Sequence, residues 1–443
     1  MQYHILRLAK GGLGVSQHEG KTWFIEGGLP GETGTAEILD EKPRYGKARA
    51  LTRQADAPCR QLTEACPCAS ECDGCGFRHV KPENALELKA EAVYADIIRN
   101  AHLENMPYTC IGLKDQQLDR SRHRVRLHIA GGKIGYFARG SHRIISASSC
   151  VVIAAELGVA VAWLEANLGR AELPHEARLD VQIDLDAQKR VYAHFKRVQE
   201  RVLKRHQHRP GKKQPTKPVV FNLLGLEMLS KDAVKHGVFA GIRVDEKTFG
   251  LSMIEDCVNG ELKVYRQIGD FAQATPEANA KIHGLVSQFL QQTGAQYVAD
   301  LYSGSGNLTF RAACEVSQVV ACEFYCSKAA FMRGLEANAH LFKPHHQIEL
   351  ILADLSQGLP QKAAAADVII CDPARDGLSE ALARDICYSR ANHILYVSCE
   401  ASCLARDIVR LSSDFDVQKL VFIDMFPQTP HVETLAFLHR SKR

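Results

Sequence analysis

The 443-residue sequence lacks an uninterrupted apolar run long enough to span a membrane. Its longest apolar stretch, residues 151–164, is interrupted by Glu156. The first residues also lack an apolar signal core followed by a cleavage site. We therefore expect a cytoplasmic protein with no membrane partner.

The sequence also lacks a strong excess of either charge, because its net charge is +4. A surface for nucleic acid must then come from local clusters of basic residues. One cluster lies in a strand-like segment, where alternation puts Arg120, Arg122, Arg124 and Arg126 on one face. The other is residues 201–217, with seven Lys or Arg and no acid. We expect both to contact nucleic-acid phosphates, although a solvated strand face and a disordered loop are the alternatives.

The chain is too long for one ordinary core, and its patterning changes twice. Glycine turns between short alternating segments in residues 1–57 predict a small OB-like β-barrel. Residues 58–268 have a mixed pattern, which indicates a central α+β domain. Residues 269–443 alternate apolar strands with helices, which predicts an α/β domain with a parallel, doubly wound sheet. A helix near 83–102 is expected to pack on this last domain.

Two residues near the end of the chain carry candidate chemistry. Cys399 ends the apolar run LYVSC, and Glu433 follows in PQTPHVET. A thiolate that adds to C6 of a uracil makes C5 nucleophilic enough to take a methyl group, and a base must then remove the C5 proton. Cys399 and Glu433 would supply these two functions. The alternative is a buried core cysteine and a surface carboxylate.

Several polar residues follow predicted strands of the last domain, at the edge where ligands bind such sheets. Gly304 and Gly306 in YSGSGN allow a close backbone approach to a ligand. The dinucleotide fingerprint G-x-G-x-x-G is incomplete, because Thr309 occupies the third glycine position. Three acids come at the ends of the next predicted strands: Glu323, Asp354 and Asp372. This set favours S-adenosylmethionine over NAD as the cofactor.

Four segments resemble the signature segments of the RNA uracil-5-methyltransferase family: DLYSGSGNLTF, CDPARDG, LYVSCEASCLARD and DMFPQTPHVET. The N-terminal GLGVSQHEGKTWFIEGGLPGE is similar to the TRAM barrel that precedes many members. The resemblance covers nearly the whole chain. It implies a Rossmann-like, S-adenosylmethionine-dependent enzyme that makes 5-methyluridine in structured RNA.

The resemblance also implies roles for individual residues. Cys399 would be the nucleophile and Glu433 the base. The cofactor pocket would contain Gln273, Tyr302, Asn307, Glu323, Asp354 and Asp372. The chain departs from the family at Glu400, where Asn is usual after the nucleophile. A carboxylate there is expected to raise the pKa of Cys399 unless Arg375 or Arg406 offsets it.

Fifteen cysteines in a cytosolic protein favour metal or catalytic thiols over disulfides. Cys66, Cys72 and Cys75 follow a C-x5-C-x2-C spacing, and family members with this spacing bind a [4Fe-4S] cluster that a distant cysteine completes. Cys150 matches that position. Two alternatives stay open: a radical-SAM spacing that uses Cys68, and a zinc ribbon that adds Cys59.

The resemblance leaves the RNA unnamed. A TRAM-like barrel together with a cluster favours large-subunit ribosomal RNA over transfer RNA, by analogy. A non-catalytic RNA-binding protein that keeps the methyltransferase fold is the alternative from another class. The protein is expected to act as a monomer.

Overall fold

The computed structural model of the protein describes residues 1–63, 66–113, 119–198 and 222–441. The basic segment 201–217, for which the sequence predicts phosphate contact, lies outside these ranges. None of the helices within the described ranges is both long and apolar enough to cross a membrane.

The N-terminal segment forms a six-stranded β-barrel. Its strands are β1 (Gln2–His4), β2 (Arg7–Ala9), β3 (Leu13–His18), β4 (Lys21–Glu26), β5 (Thr33–Glu41) and β6 (Tyr45–Arg53). The edge strands β1 and β2 follow each other directly in the chain, so the sheet closes on itself. Tyr3, Ile5 and Trp23 fill the interior. Gly46 is needed there, because a Cβ at this position would lie 2.3 Å from the Trp23 ring. The predicted barrel is confirmed.

Helix α1 (Pro82–Ala101) and strand β7 (Tyr108–Ile111) come early in the chain but belong to the C-terminal sheet. Ala90, Val93 and Ile97 of α1 pack in the same hydrophobic core as the C-terminal helix 401–411. The buried Lys89 Nζ lies 2.5 Å from Asp424 Oδ1 and anchors the helix there. Sequence periodicity alone does not indicate that residues 108–111 extend this sheet.

A seven-stranded sheet occupies the centre of the chain. Its strands are β8 (Arg124–Ala130), β9 (Lys133–Phe137), β10 (Ile144–Ile145), β11 (Arg178–Leu185), β12 (Val191–Arg197), β13 (Gly241–Val244) and β14 (Lys247–Gly250), in the order β10-β9-β8-β11-β12-β13-β14. Helices α2 (Ala155–Asn167) and α3 (Leu224–Lys235) pack on it. The hairpin of β15 (Met253–Val258) and β16 (Leu262–Gln267) leads to the last domain.

The last domain is built on an eight-stranded sheet with the order β19-β18-β17-β20-β21-β23-β22-β7. Its remaining strands are β17 (Tyr297–Leu301), β18 (Gln318–Glu323), β19 (Gln347–Leu352), β20 (Val368–Cys371), β21 (His393–Ser398), β22 (Phe415–Ile423) and β23 (Glu433–Arg440). The helices are α4 (Pro276–Thr293), α5 (Asn307–Ala313), α6 (Lys328–Asn338), α7 (Gln361–Ala364), α8 (Glu380–Tyr388) and α9 (Ala401–Leu411).

The strands β17 to β21 are parallel, as the apolar runs predict, but β23 is antiparallel to both of its neighbours. The link between β22 and β23 is residues 424–432. It is too short for a parallel crossover, which needs about a dozen residues or more. The chain therefore returns as a hairpin, and Thr434, the second residue of β23, pairs with Ser398, the last residue of β21.

Candidate active site

A cavity of about 610 Å³ lies at the carboxyl ends of β17 and β20, where the strand order reverses and ligands usually bind. The loop after β17 turns sharply, with positive φ at Tyr302, Gly304 and Gly306. A Cβ on Gly306 would lie 2.7 Å from the Phe310 ring, so glycine is required there. Four of the predicted cofactor residues line the cavity: Gln273, Tyr302, Asn307 and Asp372.

The other two predicted cofactor residues lie outside this cavity lining, at the ends of neighbouring strands. Glu323 ends β18, and its carboxylate accepts hydrogen bonds from the amides of Gly304 (2.9 Å) and Phe324 (2.7 Å). Asp354 follows β19, is exposed and accepts a hydrogen bond from the amide of Ser356 (2.9 Å). Hydrogen bonds from Ser356 lower the pKa of Asp354.

The side chain of Asn307 belongs to a buried hydrogen-bond network that sequence reasoning missed. Its amide exchanges two hydrogen bonds with that of Asn279, at 2.9 and 3.0 Å. His283 Nε2 lies 3.0 Å from Asn307 Oδ1, and burial lowers the pKa of His283 to about 4. A neutral imidazole can donate this bond, so α4 fixes the Asn307 amide beside the cavity. No motif marks Asn279 or His283 in the sequence.

Thr309, which breaks the dinucleotide fingerprint, has a structural partner in Asp300. Its hydroxyl donates to Asp300 Oδ2 at 2.6 Å, and both residues are buried. Burial raises the pKa of Asp300 to about 7. A glycine at position 309 would leave this buried carboxyl without that hydrogen bond, which is costly in a low-dielectric interior.

The hairpin connection brings Cys399 and Glu433 together. Ser398 at the end of β21 pairs with Thr434 in β23. Because these strands are antiparallel, the next pair in register is Cys399 and Glu433. Glu433 is 3% exposed and Cys399 is half-buried. The two residues therefore meet at the same sheet edge as the cavity.

Burial raises the pKa of Cys399, the carboxylates of Glu433 and Asp372 raise it further, and Arg375 lowers it by its charge and a hydrogen bond. Burial also raises the pKa of Glu433 well above its ordinary value and that of Asp372 to about 7. Two neighbouring buried carboxyl groups resist carrying two negative charges, so the pair retains a proton near neutral pH.

Gln273, in a loop before α4, contacts Asp372 of this acidic pair. Its Nε2 donates to Asp372 Oδ2 at 3.1 Å. Arg124 of β8 holds the same loop, because its guanidinium donates to the carbonyls of Asp270 (2.5 Å) and Ala272 (3.1 Å). The central domain therefore positions a residue of the candidate site.

The four arginines near β8 do not form one exposed strand face, so this prediction is wrong. The strand begins only at Arg124, and Arg120 before it has a left-handed backbone with φ 58°. Arg120 is exposed but donates to the carbonyls of Cys150 and Ile153 (3.2 Å each), and Arg122 lines the cysteine cavity described below. Of the four, Arg126 is exposed on the strand itself.

Glu400 is not among the main charges that shift the pKa of Cys399, contrary to the prediction. The charges that raise the pKa of Cys399 belong to Glu433 and Asp372, and Arg375 provides the offset. Arg406 instead donates to Asp407 Oδ1 at 2.9 Å. The Glu400 carboxylate pairs with Lys10 of the barrel.

The predicted cluster cysteines share a small cavity. It is lined by Cys66, Cys68, Cys72, Cys75 and Cys150, together with residues that include Arg78, Arg122 and Tyr136. A bridge between Cys72 and Ala138 joins the cysteine-rich segment to the central sheet. Among the described residues, no group of three or more His, Cys, Asp or Glu is arranged to hold a metal ion. Cys59 packs elsewhere, in the apolar cluster of Leu8 and Phe77, so the zinc-ribbon set is not brought together.

Two family models match the chain. The TRAM domain matches residues 4–51, and tRNA (uracil-5-)-methyltransferase matches residues 353–441. The second match contains Asp354, Asp372, Cys399 and Glu433. These findings confirm the predicted class, an S-adenosylmethionine-dependent RNA methyltransferase. The chain carries a TRAM domain followed by a uracil-5-methyltransferase domain.

Relatives align over nearly the full length. A protein of Mannheimia succiniciproducens named 23S rRNA (uracil(1939)-C(5))-methyltransferase RlmD is 29% identical, over 99% of this chain and 96% of its own. A Bacillus cereus protein named uncharacterized RNA methyltransferase is 25% identical, over 97% and 95%. The structure of Pyrococcus abyssi tRNA (uracil-54, C5)-methyltransferase with S-adenosyl-L-homocysteine covers 99% of this chain and 100% of its own, with a TM-score of 0.71 and 20% identity, and so shares the fold.

Proposed function

We propose that this protein methylates C5 of a uridine in large-subunit ribosomal RNA. The antiparallel register that brings Cys399 beside Glu433 is the observation that carries the proposal. A nucleophile and a base at one sheet edge, next to a cavity of suitable size, are what C5 methylation of uracil requires. The relatives named for the 23S rRNA reaction favour ribosomal RNA as the substrate.

In this proposal Cys399 Sγ bonds to C6 of a uridine that has left its base stack, since an enzyme must unstack a base to react with it. S-adenosylmethionine, when bound, would supply the electrophilic methyl group that C5 takes up, and S-adenosylhomocysteine would be the leaving group. Glu433 then accepts the C5 proton. The Cys399–C6 bond breaks as the C5–C6 double bond forms again, and the thiolate is released.

The cavity-lining residues Gln273, Tyr302, Asn307 and Asp372 are proposed to hold S-adenosylmethionine. Glu323 is proposed to bind the ribose hydroxyls, and Asp354 the adenine amine. The fit is supported by the sharp loop after β17, whose left-handed residues let backbone amides approach a ligand. Glu323 is held against that loop by the Gly304 amide.

RNA that contains 5-fluorouridine tests the mechanism. Fluorine cannot leave C5 as a proton, so the enzyme should stop as a covalent protein–RNA complex after methyl transfer. We expect to detect this adduct on a denaturing gel and by intact-mass measurement, and only when S-adenosylmethionine is present. An enzyme that binds S-adenosylmethionine and RNA but forms no adduct would contradict the mechanism.

Transfer RNA is the second candidate substrate, because the family model that matches residues 353–441 is described for tRNA. Mapping 5-methyluridine in ribosomal and transfer RNA from cells with and without the gene separates the two. Loss of the modification from tRNA alone would overturn the ribosomal assignment.

We also propose that Cys66, Cys72, Cys75 and Cys150 hold a [4Fe-4S] cluster. Their common cavity and the thiolate donor set support this assignment, since four thiolates complete the iron coordination of such a cluster. A closed ligand set gives the cluster a structural role in the central domain.

Cys150→Ser is expected to lose most of the iron, sulfide and visible absorbance of anaerobically purified protein. Cys68→Ser is the matched control, because Cys68 lines the same cavity but lies outside the proposed ligand set. We expect Cys68→Ser to keep the cluster. A radical mechanism predicts the opposite for Cys68, with 5′-deoxyadenosine as a product. Zinc in place of iron in the wild-type protein would also overturn the assignment.

A further inference from the structure

A lysine of the N-terminal barrel reaches the residue next to the candidate nucleophile. Lys10 lies in the turn between β2 and β3. Its Nζ donates to Glu400 Oε1 and to Ser402 Oγ, the latter at 2.6 Å. The side chains of Lys10 and Glu400 are 34% and 24% exposed, so this ion pair is partly shielded from water.

Glu400 also organises the segment that holds Cys399. Its carboxylate caps α9, accepting hydrogen bonds from the Ser402 amide (3.3 Å) and hydroxyl (2.7 Å). Its own amide donates to Ser398 Oγ at 3.1 Å. Cys399 therefore lies between two residues that are hydrogen-bonded to each other, and Lys10 contacts this arrangement from another domain.

We propose that Lys10 is a positioning residue for Cys399 and acts through Glu400, and this rests on the proposed role of Cys399. Lys10 neutralises a carboxylate that follows the thiol directly and holds it at the start of α9. Without Lys10, an unpaired negative charge would lie beside the thiolate and disfavour it. The position of the TRAM barrel thereby affects how easily Cys399 ionises to its thiolate.

The electrostatic surroundings allow this coupling to be measured. The charged groups that act on Cys399 are Glu433, Asp372 and Arg375. Besides its ion-pair partner Glu400, the charged groups that act on Lys10 include Asp96, Cys403, Arg375 and Cys399. The substitutions below change Lys10 and Glu400 alone, so the other groups stay constant across the comparison.

The test is a double-mutant cycle of Lys10→Met, Glu400→Asn and both together. The rate of Cys399 alkylation by iodoacetamide is followed against pH by peptide mass spectrometry. Lys10→Met should slow alkylation near neutral pH roughly two- to five-fold and shift its pH profile upward, as expected for loss of a partly exposed ion pair. In the Glu400→Asn background, Lys10→Met should have a much smaller effect, because only the direct charge interaction of Lys10 with Cys399 is left to lose. Asparagine still caps the helix, so folding is preserved.

Lys21→Met is the matched control, because Lys21 is a barrel lysine of similar exposure (33%) paired with Glu41. It should leave alkylation unchanged. Equal effects of Lys10→Met in both Glu400 backgrounds would overturn the proposal. So would a rise in KM for RNA without a fall in kcat, which would make Lys10 an RNA contact. Failure of the 5-fluorouridine adduct in every variant would instead refute the role of Cys399, while the alkylation cycle still reports on Lys10.

Discussion

Cys399→Ala should lower the rate of methyl transfer by on the order of 10⁴-fold or more, the scale seen when a covalent nucleophile is removed. The thiol makes C5 reactive by bonding to C6, whereas Cys371, which ends the neighbouring strand β20, is fully buried. Methyl transfer is measured as tritium moved from labelled S-adenosylmethionine to RNA. The 5-fluorouridine adduct should disappear as well.

The control for this variant is Cys403→Ala. Cys403 is half-buried like Cys399 and lies on the following helix α9, but it has no role in the proposed reaction. It should keep near wild-type activity. Binding of S-adenosylmethionine by calorimetry should be unchanged in both variants. A Cys399→Ala protein that retained more than a small fraction of the activity would refute covalent catalysis and favour a different reaction or a binding role.

Glu433→Gln should trap the reaction after methyl transfer, so that ordinary uridine RNA accumulates as a covalent adduct. Proton removal by a positioned base contributes roughly 10²- to 10⁴-fold, and we expect a loss of that size in turnover. Burial raises the pKa of Glu433, so the ionised form of this residue is a stronger proton acceptor than an exposed carboxylate. Intact mass of the protein after mixing with unmodified RNA measures the adduct.

Glu433→Asp is the matched control for this second variant. It keeps the carboxyl group at the first position of β23 and withdraws it by one methylene. Elimination should be slow but complete, with no lasting adduct. Because glutamine is nearly isosteric with glutamate, thermal unfolding should differ little between the variants. Slow turnover of Glu433→Gln without any adduct would assign Glu433 to an earlier step than proton removal.

The strand ends of the catalytic domain could be predicted from local patterning. Glu323 is the last residue of β18, and Asp372 directly follows β20, as the apolar runs predict. A parallel strand that is buried on both faces has a nearly continuous apolar sequence. Short apolar runs between helical stretches therefore indicate where such strands begin and end. The arginines at 120–126 show the limit of such reasoning. Alternation predicts a common face only where a strand exists, and β8 starts at Arg124.

The expected effect of Glu400 on the pKa of Cys399 shows a second limit of prediction from sequence. Sequence adjacency suggests that its charge acts on Cys399, but a side chain can turn to another partner. That partner, Lys10, comes from the N-terminal barrel and carries no motif. The hydrogen bonds of Asn279 and His283 to Asn307 could not be predicted from the sequence either. They join two helices through side chains that any helix surface can carry.

Local sequence patterns specify the kinds of chemical groups that the protein has available: a thiol and a carboxylate near the C-terminus, a glycine loop after a strand, and a set of closely spaced cysteines. Periodicity and spacing are local properties, so they can be read from neighbouring residues. The three-dimensional fold is needed to show that β23 returns antiparallel beside β21, that β7 joins the C-terminal sheet, and that Lys10 contacts Glu400. The second and third of these contacts join segments hundreds of residues apart, and the first depends on how the hairpin of β22 and β23 packs, which no local pattern specifies.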